Sequence, residues 1–377
     1  MPLIVFLLAA AVFAQGTSEF MLAGLLPAIA ADLDIAVPQA ALLTSTFAVG
    51  MIVGAPLMAA LSRRWPPRRA LSVFLLCFIV MHIVGALTDS YAVLLVTRVV
   101  AAIANAGFLA VTLSTISALV RPERTTRAVA IILAGTTLAL VAGVPTGALV
   151  GSVLGWRAAL WGVALLSVPA LLAVAVAVPV RTDTVLPIGG IGGEVAVLQH
   201  RSLRVPLALA ALVNGATFCA FTYLAPIVTE RANLDPSTVP IVLAVFGIGS
   251  FLGVWAAGRF GDAHAPRILT IGGGGLLAGW VVFAVSAQYP ALVFVLALVQ
   301  GGLSFAVGST LIALSIRAAS GAPTMSGAFA TASVNGGAAA GPVLGGIAYG
   351  TSVGTTGPLI VSAGLIAAAL MVRRVLA

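Results

Sequence analysis

The chain has 377 residues, of which 61% are hydrophobic and only 7% are charged, and its formal net charge is +8. Soluble domains carry about 25% charged residues, so this composition predicts a membrane protein with many spans. The arginines lie in short loops rather than in basic blocks interleaved with aromatic rings, which argues against nucleic acid as a partner. Cys77 and Cys219 lie far apart in apolar runs and predict buried side chains, not a disulfide or a metal site.

The first apolar run extends from Met1 to Ala31 and contains one charge, Glu19. It is long enough to cross a bilayer, for which ~20 residues suffice. Its start resembles the apolar part of a signal peptide, with a passable cleavage site at 12–14. However, no basic residue precedes it and the run continues past that site. We therefore expect a retained first helix.

The other spans follow from charge-free runs in chain order. Seven runs suit one helix each: 35–62, 70–88, 99–120, 128–156, 158–180, 205–229 and 236–258. Two longer runs, 268–316 and 318–372, each need a break, which AQYP (287–290) and YGTSVGTTGP (349–358) supply. The total is twelve spans. Helices are the expected form, because no segment alternates as a barrel strand does.

The positions of the arginines predict the orientation. If the N-terminus is cytoplasmic, every arginine outside the spans falls on the cytoplasmic side except Arg157 and Arg231. The positive-inside bias therefore predicts a multi-pass membrane protein with both termini in the cytoplasm. All 18 basic residues are Arg, which suggests a high-GC bacterial genome, and we expect the bacterial cell (inner) membrane as the location.

Two halves of six helices are expected on either side of the longest polar interruption. This segment, 181–204, is predicted to be a cytoplasmic loop between an N-terminal half (1–180) and a C-terminal half (205–377). GVPTGALVG (143–151) in helix five and GPVLGG (341–346) in helix eleven form a weak repeat. SRRWPPRR (62–69) and GRFGDAHAPR (258–267) form another, in the loops after helices two and eight. Paired halves with repeats are typical of secondary transporters.

Three segments carry a resemblance to a known family: EFMLAGLLPAIAADL, LLVTRVVAAIANAGF and GVPTGALVGSVLGWR, in helices one, four and five. Over its whole length the chain resembles the twelve-span drug:proton antiporters of the major facilitator superfamily. FAQGTSEFMLAGLLP, AVGMIVGAPLMAALSRRWP and RVVAAIANAGFLAV resemble the chloramphenicol exporters of actinomycete type. The resemblance implies an all-α membrane protein of the major facilitator fold that exports a small amphipathic antibiotic, chloramphenicol first, by proton antiport and alternating access. An exporter of sugars or nucleosides and a passive facilitator are the alternatives.

Glu19 and Arg98 are the candidate proton-coupling pair. At 1.5 Å per residue both lie within ~10 Å of the membrane midplane, on the same side. The resemblance places helices one, four, seven and ten around the central cavity. Burial disfavours an ionised Glu19 and a nearby Arg98 favours it, so their opposition can poise the carboxyl for reversible protonation. A static buried ion pair is the alternative, whereas a passive facilitator needs no embedded carboxylate.

Polar and aromatic residues on the same helices are the candidate substrate contacts: Gln15, Asn105, Asn214, Phe218, Phe221 and Gln300. A mostly apolar pocket with a few polar anchors suits an amphipathic aromatic ligand. Interhelical hydrogen bonds and packing are the alternative roles of these side chains. His82 lies on helix three, which the resemblance places at the periphery, and we expect it to be structural.

Two further segments are candidate conformational motifs. In helix five, Gly143, Pro145 and Gly147 allow close helix approach and a bend, which the resemblance links to alternating access; tight packing is the alternative. In the loop after helix two, Arg63 stands where the family pattern has Asp, while the second copy keeps Asp262. The resemblance implies that charges and dipoles in this loop hold the two halves together on the cytoplasmic side, a contact we call the latch. Without an Asp in the first copy, we expect this latch to be weaker or differently built. The loop arginines, Arg63, Arg64, Arg68 and Arg69, can equally serve as orientation signals.

The sequence favours a transporter over an enzyme. It has no G-x-x-x-x-G-K-[ST] loop for ATP. IGGGGLLAG (271–279) contains G-x-G-x-x-A, but it lies in a span with no strand before it. We therefore expect no cofactor and no metal. The expected partners are a small-molecule drug, protons and the lipid bilayer, and the expected state is a monomer.

Overall fold

The computed structural model describes residues 3–62, 65–119, 125–178, 196–319 and 326–376, and no strand occurs among them. The first six long helices are α1 (Leu3–Phe20), α2 (Val37–Ser62), α3 (Pro67–Leu87), α4 (Tyr91–Leu119), α5 (Thr125–Leu138, continued by Ala139–Gly143 and Val144–Leu154) and α6 (Trp156–Ala177). The second six are α7 (Arg201–Thr222), α8 (Val239–Arg267), α9 (Ile268–Gly272, continued by Gly273–Ser286), α10 (Pro290–Ala318), α11 (Ser326–Tyr349) and α12 (Gly357–Leu376).

Eleven of the described helical segments are long and apolar enough to cross a membrane. α11 completes the set of twelve, because its 24 residues, rich in glycine and alanine, pack against α7 and α2 within the bundle. The prediction of an all-α membrane protein with twelve helices is confirmed. The breaks predicted at AQYP and at YGTSVGTTGP also lie where the chain turns, after α9 and after α11.

Each helix reverses the direction of the one before it, so both termini lie at one end of the bundle, which we call the terminal face. The opposite end, the far face, holds the turns near 21–36, 88–90, 155, 223–238, 287–289 and 350–356. The predicted loop at 258–267 differs from the structure, in which α8 continues to Arg267 and changes direction at His264 (φ −130°, ψ 18°). Charged residues are tolerated at a helix end that reaches water. The helix can therefore extend beyond the charge-free run from which its span was predicted.

α1 and α7 are both interrupted near the far face. After Phe20 the chain forms a 3₁₀ turn, Met21–Gly24, and then a short helix, Leu26–Asp32. Pro27 in that short helix lacks an N–H and cannot continue the hydrogen-bond ladder of α1, which explains the break. α7 is followed in the same way by Leu224–Pro226 and a π-helical turn, Ile227–Arg231.

The two halves meet along two helix pairs, α5 with α8 and α2 with α11. Gly247 of α8 lies so close to α5 that a Cβ atom there would be 2.3 Å from the Leu140 carbonyl oxygen. Between these pairs, Leu25, Ile29 and Ile227 in the segments that follow α1 and α7 are buried. Packed apolar side chains therefore close the centre of the bundle at its far face.

Arg157, at the start of α6, joins three elements at the far face. Its guanidinium forms an ion pair with Asp32 and another with Asp89 (2.5 Å), and it donates to the Thr88 carbonyl (3.3 Å). The hydrogen bond from Arg157 holds the pKa of the Asp32 carboxyl below its usual range. We call Asp32, Asp89 and Arg157 the Arg157 cluster. It ties the end of α1 and the α3–α4 turn to α6.

Candidate functional site

Arg98 of α4 is buried in the middle of the N-terminal half, with 2% of its surface exposed. Its Nη1 donates to the Ser18 hydroxyl and its Nη2 to the Ser18 carbonyl oxygen, each at 2.8 Å. Its Cζ lies 4.4 Å from the centroid of the Phe47 ring, a cation–π distance. Dipoles of α1 and a ring of α2 therefore surround the buried cation.

Glu19 follows Ser18 on α1 and is half-buried. In the described part of the chain, no hydrogen bond or ion pair holds its carboxyl, and Arg98 contacts the neighbouring serine instead. The two charged residues predicted to be close thus lie on facing helices without direct contact. A carboxyl without a partner in a membrane span is costly when it is ionised, so the arrangement suits a protonated Glu19.

His82 of α3 extends the hydrogen bonds around Ser18. Its Nε2 lies 2.6 Å from the Ser18 Oγ, and its Nδ1 lies 2.7 Å from the Phe78 carbonyl oxygen. Because a carbonyl only accepts, Nδ1 carries the proton, and a neutral ring then accepts the Ser18 O–H at Nε2. His82 was expected to be structural and peripheral, yet the structure places it in contact with the site. We call Ser18, His82 and Arg98 the Arg98 network.

Gln15 and Asn105 lie one turn before Glu19 and two turns after Arg98. Gln15 is 1% exposed, and neither atom of its amide has a partner among the described residues. Asn105 is buried, and its Nδ2 has a weak contact, 3.5 Å long, with the Met51 sulfur. A buried amide without partners requires an explanation, and a ligand or water that completes its hydrogen bonds is one.

Phe218 and Phe221 of α7 belong to a chain of rings that joins the two halves. Phe218 lies 5.6 Å from Phe20 of α1 and 6.1 Å from Phe221, and Phe221 lies 4.9 Å from Phe246 of α8. The chain ends at Phe305 of α10, 6.5 Å from Phe246. Phe20 is the residue after Glu19, so the aromatic surface begins beside the carboxyl. We call these five rings the aromatic chain.

Asn214 and Gln300 bond other helices. Asn214 donates its Nδ2 to the Val334 carbonyl of α11 at 2.6 Å. Gln300 is fully buried and donates to the Leu276 carbonyl of α9 at 3.1 Å. Both contacts are interhelical hydrogen bonds, the role considered above as the alternative to substrate binding. Gln300 packs towards α9, where its amide also lies against Gly279.

The glycines of α5 lie directly against α1. A Cβ atom at Gly143 would lie 2.0 Å from the Thr17 Oγ1, and one at Gly147 would lie 3.1 Å from the Met21 Cβ. Pro145 follows the π-helical turn Ala139–Gly143, in which the Val144 N–H bonds to the Ala139 carbonyl five residues earlier. The turn provides the extra residue that a proline in the helix requires.

The candidate latch residues are only partly described. Arg63 and Arg64 lie outside the described residues, as does the side chain of Asp262, whose backbone belongs to α8. Arg68 is half-buried in the first turn of α3, and Arg69 lies over the Trp65 ring with its Cζ 5.6 Å from the centroid. The prediction about the latch therefore stays a prediction.

Four residues that the structure brings to the site were not predicted from the sequence. Ser18 and Phe20 flank Glu19, and their position beside an embedded carboxylate was the available signal. His82 was a rare intramembrane histidine but was assigned by its helix alone. No pattern in the sequence indicated Phe47.

Twelve membrane helices in two halves of six, a buried charge in the first half, and a chain of aromatic rings that joins the halves are the features of a transporter of small molecules. The chain belongs to the Major Facilitator Superfamily, whose family model matches residues 8–334. The family and the fold implied by the sequence motifs are thereby confirmed.

Individual relatives agree with this assignment. The chain is 51% identical over 374 residues to the chloramphenicol resistance protein of Streptomyces lividans, covering 99% of this chain and 95% of that protein. It is 30% identical over 370 residues to the inner membrane transport protein YdhP of Escherichia coli strain K12, covering 95% of this chain and 88% of that protein. The crystal structure of the nucleoside transporter NupG shares the fold, with a TM-score of 0.78 and 12% identity over 99% of both chains.

Proposed function

We propose that this protein exports chloramphenicol, or a small amphipathic antibiotic like it, across the bacterial inner membrane in exchange for protons. The half 1–180 and the half 205–377, joined by the cytoplasmic segment 181–204, alternate access to the site, and both termini are cytoplasmic. The name of the Streptomyces lividans relative, 51% identical over 99% of this chain, supports the choice of substrate.

The position of Glu19 is the observation that supports the proposed proton coupling. It is the single acidic residue in the candidate spans, and it lies half-buried, without an ion pair in the described part of the chain, one residue from the serine that binds Arg98. A static ion pair would keep Glu19 ionised throughout the cycle. A carboxyl held next to a cation but not bound to it can gain and lose a proton as its surroundings change.

Drug and proton exchange follows from the position of Glu19 beside the aromatic chain. An aromatic drug bound against Phe20 and Phe218, with Gln15 as a polar anchor, removes water from the carboxyl and changes its proton affinity. Proton release and drug binding are then linked through contact at one site. Asn105, Asn214, Phe221 and Gln300 complete the proposed substrate set, with Gln300 acting through the packing of α10.

The proton gradient provides enough energy for this exchange. One proton that moves inward across ~100 mV releases about 2.3 kcal/mol. At ~1.4 kcal/mol per tenfold, this sustains a roughly 50-fold gradient of a neutral solute.

Efflux from cells tests the proposal. Cells of a drug-sensitive bacterium that express the protein should accumulate less chloramphenicol than control cells, and an uncoupler should abolish the difference while ATP remains available. Export that continues under full uncoupling would contradict proton coupling. Export of sugars or nucleosides, but not of chloramphenicol, would contradict the proposed substrate and leave the proton coupling intact.

A further inference from the structure

We propose that Ser18 and His82 form a docking site for the Arg98 guanidinium, which Arg98 occupies while Glu19 is protonated and leaves for Glu19 when that carboxyl loses its proton. Ser18 and His82 are then positioning residues that decide how readily Glu19 releases its proton. The inference rests on the proposed proton-coupled export and assigns a role to two residues outside the predicted coupling pair.

The direction of the hydrogen bonds shows how the docking site works. Arg98 donates to the Ser18 hydroxyl at 2.8 Å, and that hydroxyl can donate to His82 Nε2 at 2.6 Å because His82 Nδ1 donates to the Phe78 carbonyl at 2.7 Å. Each bond in such a chain strengthens the next. His82 therefore fixes the orientation of the hydroxyl so that its lone pairs face Arg98.

A protonated His82 is incompatible with this arrangement. Both ring nitrogens would then donate, and Ser18 Oγ would receive protons from Arg98 and His82 together while its own proton lost its acceptor. The docked position of Arg98 thus requires a neutral His82. It also pairs both terminal nitrogens of the guanidinium, Nη1 and Nη2, with neutral dipoles, which leaves Glu19 without a counter-ion.

Loss of the Glu19 proton changes which position Arg98 prefers. Ser18 and Glu19 are consecutive on α1, so both lie within reach of one long side chain on the facing helix α4. In a low-dielectric interior a carboxylate attracts a guanidinium more strongly than a hydroxyl and a carbonyl do. The guanidinium therefore moves to Glu19 after deprotonation and returns to Ser18 after reprotonation.

Among the charged side chains described on the helices around His82, Arg98 and Glu19 are the two that can act on its ring. α1, α4 and α6 pack against or bond to α3, and they carry few titratable side chains. Tyr91 of α4 is bonded to the Gln39 carbonyl at the far face, and Arg157 of α6 is held by the Arg157 cluster. Nothing else charged in the described part of these helices competes for the docking site.

The test measures proton release when chloramphenicol is added to the purified, detergent-solubilised protein at a series of pH values. Ser18→Ala removes the hydroxyl that holds Nη1 and frees Arg98 for Glu19. We expect the midpoint of drug-induced proton release to move to lower pH by about one unit, because a closer cation favours the carboxylate. Ser45→Ala is the matched control: Ser45 is also buried, and its hydroxyl has no partner among the described residues.

Variants of His82 keep the test decisive if Ser18→Ala fails to fold. His82→Phe removes the acceptor of the Ser18 hydroxyl and should shift the midpoint in the same direction, whereas His82→Gln retains an acceptor and should shift it less. The double variant Ser18→Ala/His82→Phe should shift it no further than either change alone, because both act through one hydrogen-bond chain.

Three results separate the hypotheses. An unchanged midpoint in folded, drug-binding Ser18→Ala and His82→Phe would overturn the docking site. Additive losses of thermal stability without a shift of the midpoint would also overturn it and assign both residues to packing. No proton release from the wild-type protein upon drug binding would contradict the proposed function instead.

Discussion

α1 and α7 occupy equivalent places in the two halves and are built alike. Each runs to the far face, breaks, and continues as a short helix that contains a proline, Pro27 after α1 and Pro226 after α7. Each connection also passes a Leu-Asp pair, Leu33-Asp34 and Leu234-Asp235. The same backbone device thus begins both halves. This similarity makes the differences in side chains informative.

The helices that pack on α1 and α7 approach them to different degrees. Gly143, Gly147 and Gly151 of α5 face the side chains of Thr17, Met21 and Leu25. Gly337 and Gly341 of α11, spaced in the same way, face the backbone of α7, where a Cβ at Gly341 would lie 2.3 Å from the Gly215 carbonyl oxygen. The α7–α11 contact is therefore the tighter of the two.

The chemistry of the two helices also differs. Glu19 lies 15 residues before Asp34. The residue 15 positions before Asp235 is Ala220, so α7 has no carboxyl where α1 has one. α7 instead contributes two rings of the aromatic chain. One half thus holds the charged site and the other half most of the apolar surface. In the proposed mechanism a change of protonation in one half alters the surface that binds the drug between them.

Removal of the carboxyl has the largest expected effect. Glu19→Gln keeps the shape of a protonated Glu19 but cannot release a proton, so active efflux and resistance should fall to the level of cells without the protein. Drug binding should persist, because the aromatic chain is intact. Binding to purified protein and uptake into energised vesicles measure the two properties separately.

Transfer of the carboxyl to the other half provides the control for this variant. Glu19→Gln/Ala220→Glu should not restore efflux, because the Arg98 network lies in the N-terminal half. Restored transport would show that the position of the carboxyl is interchangeable, and would break the contrast between α1 and α7.

Alanine at the glycines of α5 and α11 tests the two helix contacts. Gly341→Ala should reduce the yield of folded protein more than Gly143→Ala, since its methyl group meets backbone and overpacking costs about 1–3 kcal/mol or more. Thr17→Ala should partly rescue Gly143→Ala by removing the obstructing hydroxyl, and no side-chain change should rescue Gly341→Ala as well. Gly162→Ala is the control, because nothing lies within 4 Å of its Cβ position. Equal losses at Gly143 and Gly341 would contradict the difference in packing.

Much of the fold follows from the sequence because charge is costly in lipid, so charge-free runs mark the spans. Glu19 and Arg98 were found by the same rule, as exceptions to it. Ser18 and His82 were not, because their hydrogen bonds depend on how α1 and α3 are rotated about their axes. Gln300 shows the same limit, since composition cannot tell whether an amide faces the centre of the bundle or α9. Rotation is set by packing, which a single sequence does not reveal.

A change in the aromatic chain should affect drug affinity and leave proton binding alone. Phe218→Leu removes contacts with Phe20 and Phe221, and ring pairs of this kind are worth about 0.5–1.5 kcal/mol. We expect the KM for chloramphenicol to rise by roughly 2- to 10-fold. Phe283→Leu, at a buried ring of α9 stacked on Trp280, should leave KM unchanged. A shifted pH midpoint without a change in KM would place Phe218 with the charged site.

The smallest expected effect lies at the far face, where the Arg157 cluster secures the end of α1 by ion pairs that α7 lacks at the corresponding Asn233. The pKa of Asp32 is lowered in the folded protein, so its ion pair stabilises the fold above the unfolded pKa of about 3.9, and this stabilisation is lost as the pH falls through the lower folded value. Asp32→Asn should therefore lower thermal stability at pH 7, and by progressively less as the pH falls below about 3.9. Both partners are partly exposed, which limits the loss to about 1 kcal/mol or less. Asp34→Asn is the control, because it removes the same charge two residues away, where no described residue forms an ion pair with it. If the two variants lose stability equally at every pH, the Arg157 cluster does not secure α1, and the end of α1 is held by its buried apolar side chains alone.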